Sequence, residues 1–178
     1  MRKKEQGFSL IELLIVVAII LIIAAIAVPN LLKAKMTANE SAAAAAERTV
    51  STANVTYSSM YNQGFAGSLA QLGPTSAACA VSSSACADLV DSALSGVNPV
   101  SDPPVKSHYV FTYVVPNATP APNTPNNTYS LVATPMSPGP SGKATFCLDQ
   151  TNMIKKDASG TAVTAPSGGC GAFAGSPM

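Results

Sequence analysis

The chain opens with an apolar segment that is long enough to cross a membrane. Leu13 to Val28 consists only of Leu, Ile, Val and Ala, and from Phe8 onward the run is broken only by Ser9 and Glu12. At a rise of 1.5 Å per residue this helix would span about 31 Å, enough to cross a bilayer core of about 30 Å. A basic leader precedes it, so we expect a membrane-spanning helix with its N-terminus in the cytoplasm.

The residues around the start of this segment form a recognisable pattern. The charged leader ends at Gly7, Phe8 follows, Glu12 is the fifth residue after that junction, and Pro29 closes the apolar run. A secretory signal peptide has its cleavage site after the apolar core, whereas here the obvious processing point comes before it. Over residues 1–35 the pattern resembles the N-terminus of type IV prepilins and of the related pseudopilins. The resemblance implies that a prepilin peptidase cuts between Gly7 and Phe8 and methylates the new amine of Phe8.

The resemblance also implies what the apolar helix does. Mature subunits would wait in the bacterial inner membrane, and the pilus assembly machinery would then extract them into an extracellular helical filament of identical subunits. The physics agrees, because a helix that is apolar on all sides is buried in lipid or among like helices, and a non-closing contact between identical subunits gives an open filament. Leu21 stands where many family members carry a helix-loosening glycine, so melting of the helix before Pro29 is not carried over to this chain.

Glu12 is the residue of the apolar segment that most needs an explanation. A charged carboxylate in the bilayer costs roughly 2.5–3.5 kcal/mol on insertion scales. One interpretation is that Glu12 reaches back to the headgroups. The other, which we favour, is that it pairs with the Phe8 amine of a neighbouring subunit, because Leu13 to Val28 offers no cation. Such a pair would also set the register, since misaligned subunits leave both charges unpaired. We therefore assign Glu12 and Pro29 to assembly.

Charge is scarce outside the leader. Only 11% of the residues are charged and the net charge is +1. The leader alone carries +2, so the part after Gly7 is slightly acidic, and no charge lies between Arg48 and Asp88. Binding of nucleic acid by phosphate neutralisation therefore has little to use, and we do not expect a nucleic-acid partner. One histidine and a few scattered acids form no catalytic group, so we expect neither an enzyme nor a cofactor.

Four cysteines follow the apolar segment, which fits an oxidising compartment. Three pairings are possible, and proximity along the chain favours Cys79 with Cys86 and Cys147 with Cys170. The C-terminal pair resembles the loop that closes many type IV pilins. The spacings are not those of a zinc site, and we expect His108 to be a packed or edge-strand residue rather than a metal ligand.

The helical pattern continues after Pro29, which should kink the helix but not end it. We predict one helix from Phe8 to Gln63, stopped by Gly64, whose first half protrudes and whose second half packs through an apolar stripe. Charged residues, among them Glu47, are assigned to its other face. The stripe consists of Leu32, Met36, Ala43, Ala46, Val50, Ala53, Tyr57 and Met60.

After a variable connector, the pattern changes to strands. Residues 109–115, 128–134, 144–148 and 152–156 are β-branched or alternating. We therefore expect an α+β fold in which the long helix packs on one face of an antiparallel sheet of three to four strands, the ladle-like fold of pilins. The organisation is a leader (1–7), a membrane or filament-core segment (8–29), an amphipathic segment (30–64), a connector (65–107), the sheet (108–157) and a disulfide-tethered loop (158–178).

Three roles are open to such a chain. The favoured one is a structural subunit of a type IV pilus, a fimbrium that serves twitching motility or cell adhesion. The alternatives are a pseudopilin of a type II secretion system and a minor pilin. Pseudopilins often hold calcium in place of the C-terminal disulfide, and Asp149 and Asp157 are too sparse to form a cage of six to eight oxygens.

Overall fold

The structure is a computed structural model that describes residues 8–75, 79–97, 101–159, 166 and 169–178. The predicted leader, including Gly7, and part of the predicted C-terminal loop lie outside the described residues. The chain divides into two units, Met1–Lys35 and Met36–Met178. Helix α1, Leu10–Tyr61, begins in the first unit and ends in the second.

In the first unit, α1 is apolar around its whole circumference from Leu13 to Val28. Its large side chains from Leu10 to Leu32 are all exposed. Pro29 lies inside α1 and does not end it, although it cannot donate a backbone hydrogen bond. Within the described parts of the chain, α1 is the one helix long and apolar enough to cross a membrane.

In the second unit, the buried face of α1 differs from the predicted stripe. Met60 is exposed, whereas Glu47, which we had assigned to the solvent face, is fully buried. The buried face follows positions 43, 47, 50, 54 and 57, at alternating spacings of four and three, so Glu47 and Asn54 lie at its centre. The prediction for Glu47 was wrong because charge was taken as a sign of exposure. The buried residues of α1 are Ala43, Ala44, Ala46, Glu47, Val50, Ala53, Asn54 and Tyr57.

The sheet confirms the α+β class but has more strands than the three to four that we predicted. Six strands pair in chain order, each antiparallel to the next. The first and last have two residues each, too short for alternation to reveal them, and they leave the sheet with short edges. The strands are β1 (Val105–Lys106), β2 (Tyr109–Val114), β3 (Ser130–Pro135), β4 (Thr145–Asp149), β5 (Ile154–Asp157) and β6 (Ser176–Pro177).

His108 is neither packed nor part of a strand, contrary to our expectation. It is exposed and forms, with Ser107, the two-residue turn between β1 and β2. Both residues have positive φ, 51° and 62°, as a type I′ turn requires. The turn escapes detection in the sequence because glycine and asparagine usually occupy these positions.

Both faces of the central strands are covered, whereas we expected one face to be open to solvent. Leu131, Phe146 and Leu148 belong to the main core with α1. Between them, Val132 and Cys147 point to the other face and form a second cluster with residues of the C-terminal loop. Side chains in a strand alternate between faces, so a core on each side explains why every residue of β4 is buried.

The connector before the sheet contains two short helices. Helix α2, Leu69–Leu72, is capped by the Ser68 side chain. Helix α3, Ser92–Ser95, is capped by the Asp91 carboxylate, which accepts from two backbone N–H groups. These caps satisfy N–H groups that a helix of one turn cannot pair internally.

Candidate functional site

The residues expected to act in processing and assembly lie at the start of α1. Phe8 is 85% exposed and Glu12 is exposed as well. The Glu12 carboxylate accepts a 2.9 Å hydrogen bond from the Ser9 backbone N–H. This is the return half of a capping box, in which a glutamate in the first turn reaches back to the residue before the helix. The Ser-x-x-Glu spacing carried this signal, but we did not predict the cap.

The cap changes what Glu12 can do. Its carboxylate stabilises the beginning of α1 within its own subunit, independently of any neighbour. A carboxylate can accept several donors at once, so the cap is compatible with a second contact to a nearby cation. The start of α1 therefore combines an exposed Phe8, an acid that caps the helix and a continuous apolar surface.

In the second unit, Glu40 ties α1 to the sheet. Its carboxylate accepts hydrogen bonds from the Lys143 and Ala144 backbone N–H groups at 3.0 and 3.2 Å. The Lys156 ammonium on β5 donates to the other carboxylate oxygen at 3.0 Å. Burial opposes the charge of Glu40, but these donors outweigh it and hold the pKa of Glu40 below its ordinary value. We did not predict this contact, because spacing along a helix does not show which distant loop it meets.

The cysteines lie in the second unit. The structure pairs Cys79 with Cys86 and Cys147 with Cys170. The first bond closes a small loop beside α1, where the Tyr57 hydroxyl donates to the Ser84 carbonyl at 2.7 Å. The disulfides therefore serve the folded domain rather than the N-terminal residues.

The second disulfide is part of a larger attachment of the C-terminal loop. The Cys170 backbone N–H donates to the Asp149 carboxylate at 2.8 Å, and the Lys155 ammonium donates to the Cys170 carbonyl at 2.8 Å. Burial raises the pKa of Asp149, but hydrogen bonds from Thr151 and Cys170 lower it by more. The pKa of Asp149 therefore lies below its ordinary value. Asp149 is thus a loop anchor, and no group of three or more potential metal ligands occurs among the residues that the structure describes.

Comparison with known proteins bears on the N-terminal segment. Residues 2–28 match the family profile of the prokaryotic N-terminal methylation motif. A segment of 38 residues is 58% identical to the type IV wide pilus major component PilA4 of Thermus thermophilus. The match covers 21% of this chain and 29% of the length of that relative. The chain is therefore type IV pilin-like at its start, and the methylation motif and the pilin relative together support the type IV prepilin family for this chain.

Proposed function

We propose that this chain is a structural subunit of a type IV pilus. The observation that carries the proposal is the methylation motif over residues 2–28, whose apolar part forms a helix that is exposed on all sides. Such a surface is stable only in lipid or among like helices, and a filament core supplies the second environment. The family is one of structural pilins that are generally not enzymes, so we assign assembly rather than catalysis.

The proposed life of the subunit has two stages. The precursor is held in the bacterial inner membrane with its leader in the cytoplasm, as the basic residues before Phe8 favour. Prepilin peptidase removes residues 1–7 and methylates the Phe8 amine. The pilus assembly machinery then transfers the apolar segment from lipid to a filament of identical subunits outside the cell, with Pro29 at the end of that segment.

The direct test is to shear cells and to analyse the released material by electron microscopy and mass spectrometry. We expect thin fibres built from a chain that starts at methylated Phe8 and that is four hydrogens lighter because of two disulfides. The same processed chain retained in the cell envelope without fibres would favour a pseudopilin of a type II secretion system or a minor pilin. An uncut N-terminus would refute the proposal and leave a membrane-anchored domain.

Within this proposal, Glu12 pairs with the Phe8 amine of a neighbouring subunit. The two positions lie four residues apart, about 6 Å along a helix, so a small axial offset between subunits brings them together. Outside lipid each of the two charges would compensate the other, so that neither is buried without a partner.

Two substitutions separate this pairing from the helix cap. Glu12→Ala removes both the cap and the charge, whereas Glu12→Gln keeps a side chain that can accept from Ser9 and removes only the charge. If the charge pair matters, both variants are cut normally at Gly7 and both give few fibres. Normal fibre yield from Glu12→Gln, with loss only in Glu12→Ala, would show that Glu12 acts through its cap alone.

A further inference from the structure

The second unit contains a buried carboxylate that neither the processing site nor the disulfides explain. Glu47 is 0% exposed and lies between Ala43 and Val50 on the face of α1 that packs against the sheet. Neither of its carboxylate oxygens has a hydrogen-bond partner. Glu40, seven residues earlier in the same helix, has three donors. Two glutamates one heptad apart therefore have opposite environments.

The charged groups around this contact do not compensate Glu47. On α1, Glu40 is bound to Lys156, and Arg48 is exposed. Among the residues that the structure describes, no cation forms an ion pair with Glu47. The remaining charged groups on β4 and β5, each held by a partner of its own, are Asp149, Lys155 and Asp157.

Among the residues that the structure describes, three tyrosines in or beside the sheet also face this core. Burial raises the pKa of Tyr129 to about 12. Burial also raises the pKa values of Tyr109 and Tyr113, so all three phenols are neutral at physiological pH. A neutral phenol cannot balance a carboxylate charge.

These surroundings favour the protonated form of Glu47. Removing a carboxylate from water without a partner penalises its charged form strongly. Burial accordingly raises the pKa of Glu47 well above its ordinary value. The Ala133 backbone N–H opposes this shift more weakly, because it does not reach hydrogen-bonding geometry with either carboxylate oxygen. In the unfolded chain the same side chain is hydrated and titrates near its ordinary value of 4.5.

We propose that Glu47 makes the contact between α1 and the sheet a pH-sensitive joint, which is tight while Glu47 is protonated and weakens as the pH rises. The sign follows from linkage. Below pH 4.5 the side chain is protonated in both states and the joint has its full stability. Above that pH the unfolded state releases its proton first, so the stability of the folded state falls as the pH rises. The fall stops, and the stability stays at its lower value, once Glu47 ionises in the folded state too. Acidification would then tighten the domain and alkaline conditions would loosen it.

The test is the unfolding of the full chain in detergent micelles, followed by near-ultraviolet circular dichroism between pH 4 and 9. Glu47→Gln removes the titration and keeps the shape of the side chain. We expect this variant to match the unsubstituted chain near pH 4 and to become more stable than it as the pH rises. The folding equilibrium constant should diverge by up to tenfold per pH unit.

Glu40→Gln is the matched control, because Glu40 lies on the same helix and has the opposite environment. Because the pKa of Glu40 is lowered, its charge stabilises the folded state at pH values above the ordinary pKa of glutamate. This contribution disappears on acidification. Glu40→Gln should therefore be less stable than the unsubstituted chain at pH 7 and similar to it at low pH. Parallel pH curves for the unsubstituted chain and Glu47→Gln would overturn the proposal.

A second measurement covers the case in which Glu47→Gln does not fold. Infrared spectroscopy at pH 7 detects the carbonyl stretch of a protonated carboxylic acid, which exposed carboxylates do not show. The chain is measured with Glu12→Gln in place, so that the carboxyl inside the micelle does not contribute. A carboxylic acid band at pH 7 supports the buried protonated Glu47, and its absence refutes it.

Discussion

Replacing Cys147 and Cys170 together by alanine should detach the C-terminal loop from the sheet. The disulfide joins residues 23 apart, and the chain-entropy model assigns to such a loop about 3.4 kcal/mol of stability at 25 °C. The hydrogen bonds that Cys170 makes with Asp149 and Lys155 depend on the same attachment and should add about 1–2 kcal/mol. The expected loss is therefore about 4–5 kcal/mol.

The pair Cys79 and Cys86 is the matched control. These residues are 7 apart, so the same model gives about 2.4 kcal/mol for their alanine variant. An unfolding entropy of about 2.1 cal/mol/K per residue, applied to residues 36–178, converts these values to losses in Tm of about 15 °C for the C-terminal pair and about 8 °C for the control.

Thermal unfolding in detergent measures both variants, and limited proteolysis localises the effect. Phe173 is buried beside Val132 and Cys147, so chymotrypsin should cut after Phe173 only when the loop has left the sheet. Rapid cleavage is expected for the Cys147/Cys170 variant and not for the control. Equal losses in Tm together with a protected Phe173 would show that packing, and not the disulfide, holds the loop.

Two further predictions concern single loops. Asn126→Ala should lower the free energy of unfolding by about 2–3 kcal/mol, because the buried Asn126 side chain makes hydrogen bonds with Phe65 and with both backbone groups of Asn117. Chemical denaturation measures this loss, and a change within about 0.5 kcal/mol would contradict the prediction. Replacing Ser107 and His108 by Asn and Gly should raise stability by about 0.5–1 kcal/mol, since both positions have positive φ. An unchanged or lower denaturation midpoint would speak against the assigned turn.

Several features of this protein could be predicted from local sequence because they rest on local chemistry. The apolar run after Phe8 predicts a helix suited to lipid, and the residues around Gly7 and Glu12 carry the pattern shared with prepilins. Strands β2 to β5 were predicted to within two residues, since β-branched and aromatic residues favour extended backbone wherever they lie.

Contacts between distant segments could not be predicted in this way. Glu40 and Glu47 look alike in the sequence, yet one meets two backbone donors and a lysine while the other meets a closed apolar face. Helical spacing shows that they share a face, but the free energy of each charge depends on what the sheet and its loops place opposite.

The same distinction applies to the sheet. Local patterns predicted its central strands, whereas the two-residue edge strands form only because distant segments lie beside them. The sheet was expected to have one face on α1 and the other open to solvent, but the C-terminal loop, held through Cys170 and Phe173, covers the second face. The sequence by itself determined the helix, the central strands and the N-terminal motif. Only the tertiary structure decided which polar groups are paired and which faces are buried, because both depend on contacts between segments far apart in the chain.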